Sequence, residues 1–284
     1  MKRLALALLT LATPAQAFDE ARLRDAVQAE EKALSARVGM AVRTGAKLVF
    51  AYRGDERFAL VSTHKAFSCA ALLAKAELGE TSLQRRVVVV VTDLAPYSPI
   101  TENKIAPASM SLAEHCAASI GYSDNTAANV VLNAIGGPQA VTDYFRLLGD
   151  ATSRLDRTET DLNEAAPDDP RDTTTPAAAA ADLDKLLLGD ALKPASRERL
   201  KEWMRDDKVA GPLLRASLPD EWRIADKSGA GGNGARAIVA ALWPPGRAPF
   251  VVSIYIADTP AALDARNAAI ARLGVALRKA LEQP

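Results

Sequence analysis

The chain is short of metal ligands and shows no excess of either charge. It holds two histidines, His64 and His115, and two cysteines, Cys69 and Cys116, among 284 residues. Neighbours such as His115 and Cys116 face apart on a helix, so these four side chains fit a metal site poorly. Basic and acidic residues balance at 35 each, which gives no reason to expect nucleic acid or an anionic membrane as partner. No glycine-rich phosphate loop follows a strand, and there is no internal repeat. Ala177 to Ala181 is helix-former composition rather than a linker. Apolar runs of membrane-spanning length are also missing. The run from Leu4 to Leu11, behind Lys2 and Arg3 and ahead of Ala15-Gln16-Ala17, reads instead as a cleavable export signal covering residues 1–17. With no cysteine at the cut, no lipid anchor is expected. The mature chain would begin at Phe18 and be released into the periplasm or medium. Export makes a Cys69–Cys116 disulfide the expected state. In the chain-entropy model a loop of that size contributes about 4 kcal/mol.

What is present is apolar: 49% of the residues are hydrophobic, enough for one large domain or two interlocked ones. Phe18 to Ala36 reads as an amphipathic helix with Leu23, Ala26, Val27 and Leu34 on one face. Val38–Val42 and Leu48–Tyr52 read as a hairpin around Thr44-Gly45-Ala46. Arg223–Ala230, Ala235–Trp243 and Phe250–Ala257 read as three more strands. Pro260 to Leu281 reads as a final helix burying Leu263, Ile270, Leu273 and Leu277. The expected fold is α+β. Residues 18–54 and 205–284 form a lobe with a five-stranded antiparallel sheet flanked by helices, and 55–204 form an all-helical lobe. The boundary between the lobes is where a site is expected.

Four short motifs carry chemistry. Ser62-Thr63-His64-Lys65 puts a hydroxyl and an amine one helical turn apart, ahead of the apolar run Ala66–Leu73. Burial would lower the lysine pKa and make a neutral amine available as base. Alone the pattern is weak, since about one Ser-x-x-Lys is expected by chance in a chain this size. Ser123-Asp124-Asn125 precedes a helix from Thr126 to Ile135, and by itself it is simply a good helix start. Glu159-Thr160-Asp161-Leu162-Asn163 lies in a long irregular stretch from Arg154 to Thr175, which Arg157 and Asp172 could close by pairing. The bland alternative there is a solvated acidic loop. Lys227-Ser228-Gly229 lies on a strand, where a lysine can also blunt a sheet edge, and Gly229 permits close approach of another backbone.

Taken in this order, the four resemble the motif set of class A serine β-lactamases. The resemblance spans the mature chain, including Pro96–Thr101, Asp207–Arg215 and Ile224–Gly231. It implies a monomeric hydrolase of β-lactams, penicillins first, needing no cofactor. Ser62 would be the nucleophile, with Lys65 or Glu159 as acylation base. The Ser62 and Ala230 N–H groups would form the oxyanion hole. Ser123, its hydrogen bonds set by Lys65 and Lys227, would protonate the leaving nitrogen. Glu159 and Asn163 would drive deacylation. Asn125 would hold the substrate side chain, Lys227, Ser228 and Arg236 would receive its carboxylate, and Tyr97 would line the cleft mouth. Cys69 and Cys116 match a pair found in part of the family.

Departures from the family pattern are few. His64 stands where an aromatic or aliphatic residue is usual, and helical spacing predicts that it packs away from the reacting face. Thr160 replaces a proline, so a cis peptide there would be a non-proline one. Ser228 replaces threonine and keeps the hydroxyl. Val61 occupies the position of a cysteine common in carbapenemases, which argues against carbapenem turnover. Gly231 and Gly232 are expected to leave the cleft edge flexible. A cell-wall transpeptidase or carboxypeptidase and a β-lactam sensor are the rival readings. Glu159, Asn163 and the lack of an anchor speak against both.

Overall fold

The computed structural model describes residues 18–281. The export signal read in residues 1–17 lies outside the described residues. Helix α1 (Glu20–Leu34) starts on Asp19, whose carboxylate accepts the Arg22 N–H at 3.0 Å. Strands β1 (Arg37–Thr44) and β2 (Lys47–Tyr52) follow as a hairpin. The pair Thr44 and Lys47 closes a two-residue turn in which Gly45 takes φ +53°. After β3 (Phe58–Ala59) come α2 (His64–Glu77), β4 (Arg86–Val87), β5 (Met110–Ser111), α3 (Leu112–Gly121), α4 (Asn125–Ile135) and α5 (Pro138–Leu147). Then β6 (Thr173–Thr174), α6 (Pro176–Leu187) and α7 (Pro194–Arg205) lead to β7 (Arg223–Ala230), β8 (Arg236–Trp243), β9 (Phe250–Ala257) and α8 (Leu263–Leu281).

The two chain ends build one antiparallel sheet in the order β2-β1-β9-β8-β7. Period-two alternation sends its side chains to two separate cores. On β8, Ile238, Ala240 and Leu242 join α1 and α8 through Leu23, Val27, Ile270, Leu273 and Leu277. Ala237, Val239 and Ala241 face the helical middle, where Phe67, Phe145, Leu183 and Leu200 are buried. Two short ribbons, β3 with β6 and β4 with β5, add to that middle region. One expectation fails: Leu263 at the start of α8 is 45% exposed, because it faces a cleft rather than the core.

Helix α2 is buried without a break from His64 to Leu73. An all-round buried helix of this kind is central, and α2 packs on α3, α4, α5 and α7. Cys69 of α2 and Cys116 of α3 are bonded, with Cα atoms 5.8 Å apart. The bond closes a 47-residue separation and ties the helix after Ser62 to the helix before Ser123. The double variant Cys69→Ala/Cys116→Ala should melt several degrees lower. An unchanged melting temperature would deny the disulfide a stabilising role.

Candidate active site

Ser62 lies on a single tight turn, Val61–Thr63, that runs directly into α2. Val61 takes φ +42°, Ser123 φ +57° and Tyr97 φ +61°, so three cleft segments hold non-glycine residues in the left-handed region. Such strain persists only where the surroundings impose it, and it gathers at functional sites. The turn carrying Ser62 packs on the edge strand β7. A Cβ on Gly229 would come 2.4 Å from Val61 Cγ2 and 2.7 Å from the Ser62 backbone nitrogen. Glycine is therefore required here by close approach of the Ser62 turn to the strand. The same packing covers the sheet edge, so Lys227 is fully buried and does not serve as an edge-blunting surface lysine.

A cleft of about 390 Å³ opens over this junction. Ser62, Ser123, Asn125, Asn163, Tyr97, Ser228, Ala230 and Arg236 all line it, with Tyr97 exposed at its mouth. Val209 and Leu263 complete the wall. Lys65, Glu159 and Lys227 sit behind this lining with no exposed side-chain surface. Ser-Asp-Asn divides its work. Asp124 caps α4 by accepting the Ala127 N–H at 2.8 Å, and its carboxylate also accepts from Ile100 N, Thr101 N and Thr101 Oγ1 at 2.9 Å each. The cap thereby holds the segment after Tyr97, while Ser123 and Asn125 on either side turn into the cleft.

Lys65 is the hub. Its Nζ donates to Asn125 Oδ1 at 2.6 Å and to Ser123 O at 2.8 Å, and lies 2.9 Å from Glu159 Oε1. The contact to Ser123 Oγ is longer, 3.4 Å. Among the described residues none is recorded within hydrogen-bond distance of the Ser62 hydroxyl, Lys65 Nζ being turned to Ser123, Asn125 and Glu159. Nor does Lys227 bond to Ser123. It donates to Ser228 O at 2.8 Å and lies 3.8 Å from Asp207 Oδ2.

Glu159 is held on every side. The peptide bond to Thr160 is cis. Asn163 Nδ2 donates to Oε2. Asn129 of α4 accepts the Glu159 N–H at 2.9 Å and donates to its carbonyl at 2.8 Å. Motif reading missed Asn129, which lies one helical turn beyond Asn125 on α4 but outside the Ser-Asp-Asn motif. The loop itself is closed as expected, with Arg157 Nε on Asp172 Oδ2 at 2.6 Å. Its far end is anchored by the β3–β6 pairing and by Leu60 N to Asp172 O at 2.8 Å, immediately ahead of Ser62. Asp156, Asp169 and Asp172 thus serve as partners within the loop, while Asp161, Glu164 and Asp168 stay exposed.

Two expectations are corrected. His64 does not pack away from the reacting groups: its Nε2 lies 3.1 Å from Glu159 Oε1 and its Nδ1 3.0 Å from Ser68 Oγ. The loop wraps over the first turn of α2, so it meets positions 64 and 65 together, which helical spacing alone does not reveal. Gly231 and Gly232 are not a flexible edge either. Cβ atoms there would meet Asn163 O at 2.6 Å and Glu164 O at 2.3 Å, and Gly232 N donates to Asn163 O at 2.8 Å. These glycines let the strand end dock on the Glu159 loop.

Charge follows from burial. Burial by itself would raise the Glu159 carboxyl, but the Lys65 ammonium and His64 overcome this and hold it at about 2. Burial pushes Lys65 below its usual value against the pull of Glu159. Burial likewise brings Lys227 to about 8, with Asp207 opposing. Arg236 falls to about 10 through burial and the neighbouring Arg266. Its guanidinium donates to Asn267 Oδ1 at 2.8 Å and Gly229 O at 2.9 Å, both neutral, and no described carboxylate pairs with it. One end of the cleft therefore carries cations without full compensation, a setting that attracts anions. Among the described residues no group of three His, Cys, Asp or Glu could hold a metal ion.

The model of the β-lactamase enzyme family matches residues 21–281. The chain is 55% identical over 269 residues to β-lactamase AER-1 of Aeromonas hydrophila, covering 94% of this chain and 88% of that protein. An ancestral class A β-lactamase (GNCA) superposes with a TM-score of 0.88 at 49% identity, over 91% of this chain and 99% of the other. A putative class A β-lactamase, PenP from Rhodopseudomonas palustris, gives a TM-score of 0.88 at 43% identity, again over 91% and 99%. A β-lactamase family match across nearly the whole described chain, on a frame that sets a serine beside a buried lysine and carboxylate, identifies the chain as a member of the class A β-lactamases, serine hydrolases of β-lactams.

Proposed function

We propose that the chain hydrolyses penicillins and some cephalosporins through a Ser62 acyl-enzyme, and so confers antibiotic resistance. Ser62 Oγ attacks the lactam carbonyl as its proton passes to Lys65 or, through a water, to Glu159. The carbonyl oxygen takes the charge against the Ser62 and Ala230 N–H groups. The C–N bond breaks, and the nitrogen receives a proton from Ser123, which Lys65 replenishes. Asn125 holds the substrate's side-chain amide. Lys227, Ser228 and Arg236 take its carboxylate, and Tyr97 bounds the entrance. A water held by Glu159 and Asn163 then attacks the ester. Glu159 accepts its proton, and Ser62 leaves with one restored. No cofactor enters these steps. We further propose a monomer that acts after export. In keeping with this, no described helix is long and apolar enough to cross a membrane.

The observation that carries the reading is the Glu159 carboxylate clamped between Lys65 and Asn163, behind the cleft lining that includes Ser62. A transpeptidase or a sensor has no use for such a base, because its acyl-enzyme with a β-lactam is not meant to turn over. Penicillin hydrolysis by the mature chain, followed by loss of lactam absorbance, tests it. Arg236→Ala should raise KM about tenfold or more while kcat stays within a few-fold, since a charge-assisted bond to the substrate carboxylate is removed. An unchanged KM would take Arg236 out of the anion site.

A further inference from the structure

The proposed steps leave one buried polar side chain in the site unused. His64 is fully buried, yet both ring nitrogens have partners, Ser68 Oγ at 3.0 Å and Glu159 Oε1 at 3.1 Å. An ionised carboxylate only accepts, so Nε2 carries the hydrogen and donates. Burial disfavours the charged imidazole and pushes it below its usual value, despite the attraction of Glu159. In the neutral ring Nδ1 is bare and accepts from the Ser68 hydroxyl. Glu159 thus selects the tautomer with its N–H on Nε2, and the Ser68 hydroxyl, which can donate or accept, completes it by donating to Nδ1. Other charges near the ring are Lys65 on the same helix, which also donates to Oε1, and Asp172 from the loop, which is taken up by Arg157.

We infer that His64 is a positioning residue for Glu159: its Nε2–H pins Oε1 against α2 and leaves Oε2, on the Asn163 side, to take the proton of the hydrolytic water. The inference rests on the reading of Glu159 as deacylation base. In the proposed steps Lys65 passes a proton to Ser123, so its bond to Oε1 changes through the cycle. His64 is a donor whose charge does not change, and it keeps the carboxylate's orientation when Lys65 is neutral. A phenyl ring at this position would fill similar space and leave Oε1 with Lys65 alone.

The test compares His64→Phe, His64→Gln and Ser68→Ala in the mature chain by single-turnover acylation and deacylation, with melting as control. His64→Phe should slow deacylation about tenfold and leave acylation within about threefold, so kcat and KM fall together as acyl-enzyme accumulates. Removing a donor from the ionised carboxylate raises its proton affinity, so the acidic limb of kcat should move up by about half a pH unit. His64→Gln, whose carboxamide N–H can reach Oε1, should restore most of the deacylation rate. Ser68→Ala, which leaves Nδ1 without its donor and loosens the ring, should lose part of it. A folded His64→Phe with unchanged deacylation and pH profile would overturn the inference, as would His64→Gln no better than His64→Phe. If His64→Phe does not fold, deacylation slower in Ser68→Ala than in His64→Gln supports the inference; wild-type rates in both overturn it. Glu159→Ala separates the two levels. Free turnover in that variant removes the base and the inference with it, whereas a trapped adduct beside an unaffected His64→Phe removes the inference alone.

Discussion

Glu159→Ala is expected to acylate with a β-lactam and then stall. Intact mass should show a persistent adduct at Ser62, and kcat should fall about 100- to 10,000-fold, the range a general base supplies. Acylation should survive for an electrostatic reason. Lys65 is buried, and its charge is sustained by the Glu159 carboxylate 2.9 Å away. Without that carboxylate burial acts unopposed by its nearest anion, the amine becomes neutral more readily, and it can take the Ser62 proton itself. The adduct forms but no group remains to activate water. Glu159→Gln should give the same trapped adduct with less disturbance, since its carboxamide can still accept from Lys65. Free turnover by either variant would refute the role of Glu159. Failure of both to acylate would make Glu159 the acylation base as well.

Gly229→Ala should be nearly as damaging, although it removes no functional group. The added Cβ would stand 2.4 Å from Val61 Cγ2, 2.7 Å from Ser62 N and 3.2 Å from Thr63 N. The valine methyl can turn, but the two nitrogens are backbone and cannot yield without moving the turn that holds Ser62. That shift moves the Ser62 N–H, one of the two donors in the proposed oxyanion hole. In the proposed mechanism acylation and deacylation share this oxyanion hole, so kcat and kcat/KM should both fall about 100-fold or more. Overpacking should also cost about 1–3 kcal/mol of stability. Gly211→Ala is the control: nothing lies within 4 Å of its added Cβ, and both activity and melting should stay at wild-type values. An active Gly229→Ala enzyme would show that the edge strand does not set the position of the nucleophile.

Which parts of this were legible in the sequence follows from the range of the interactions. Strands β1, β2, β8 and β9 announce themselves through apolar residues between turn formers, β7 carries the Lys-Ser-Gly motif, and their placement at the two chain ends implies one shared sheet. Ser62, Ser123, Glu159 and Lys227 stand in short motifs whose order carries more information than any single one. Asp124 shows what such reading leaves out. Its capping role is local and readable, but its three bonds to Ile100 and Thr101 depend on how the chain returns. Asn129 and His64 belong to the same class. Each meets Glu159 only because the loop, fastened by Arg157, Asp172 and the β3–β6 pair, lies across α2 and α4. Helical spacing describes one helix face at a time, so a loop crossing the helix start escapes it. Gly231 and Gly232 were misjudged in the same manner, since the carbonyls that exclude a side chain there come from residues 163 and 164.

The central claim is that Ser62 is acylated and that the Glu159 loop releases it. The most direct measurement is turnover of a chromogenic β-lactam by the purified mature chain, with intact mass taken at early times. The account predicts many turnovers per molecule and only a transient mass increase, carried by Ser62. A single stoichiometric burst with a lasting adduct would contradict it, and would mean that the clamped carboxylate behind Ser62 does not activate water.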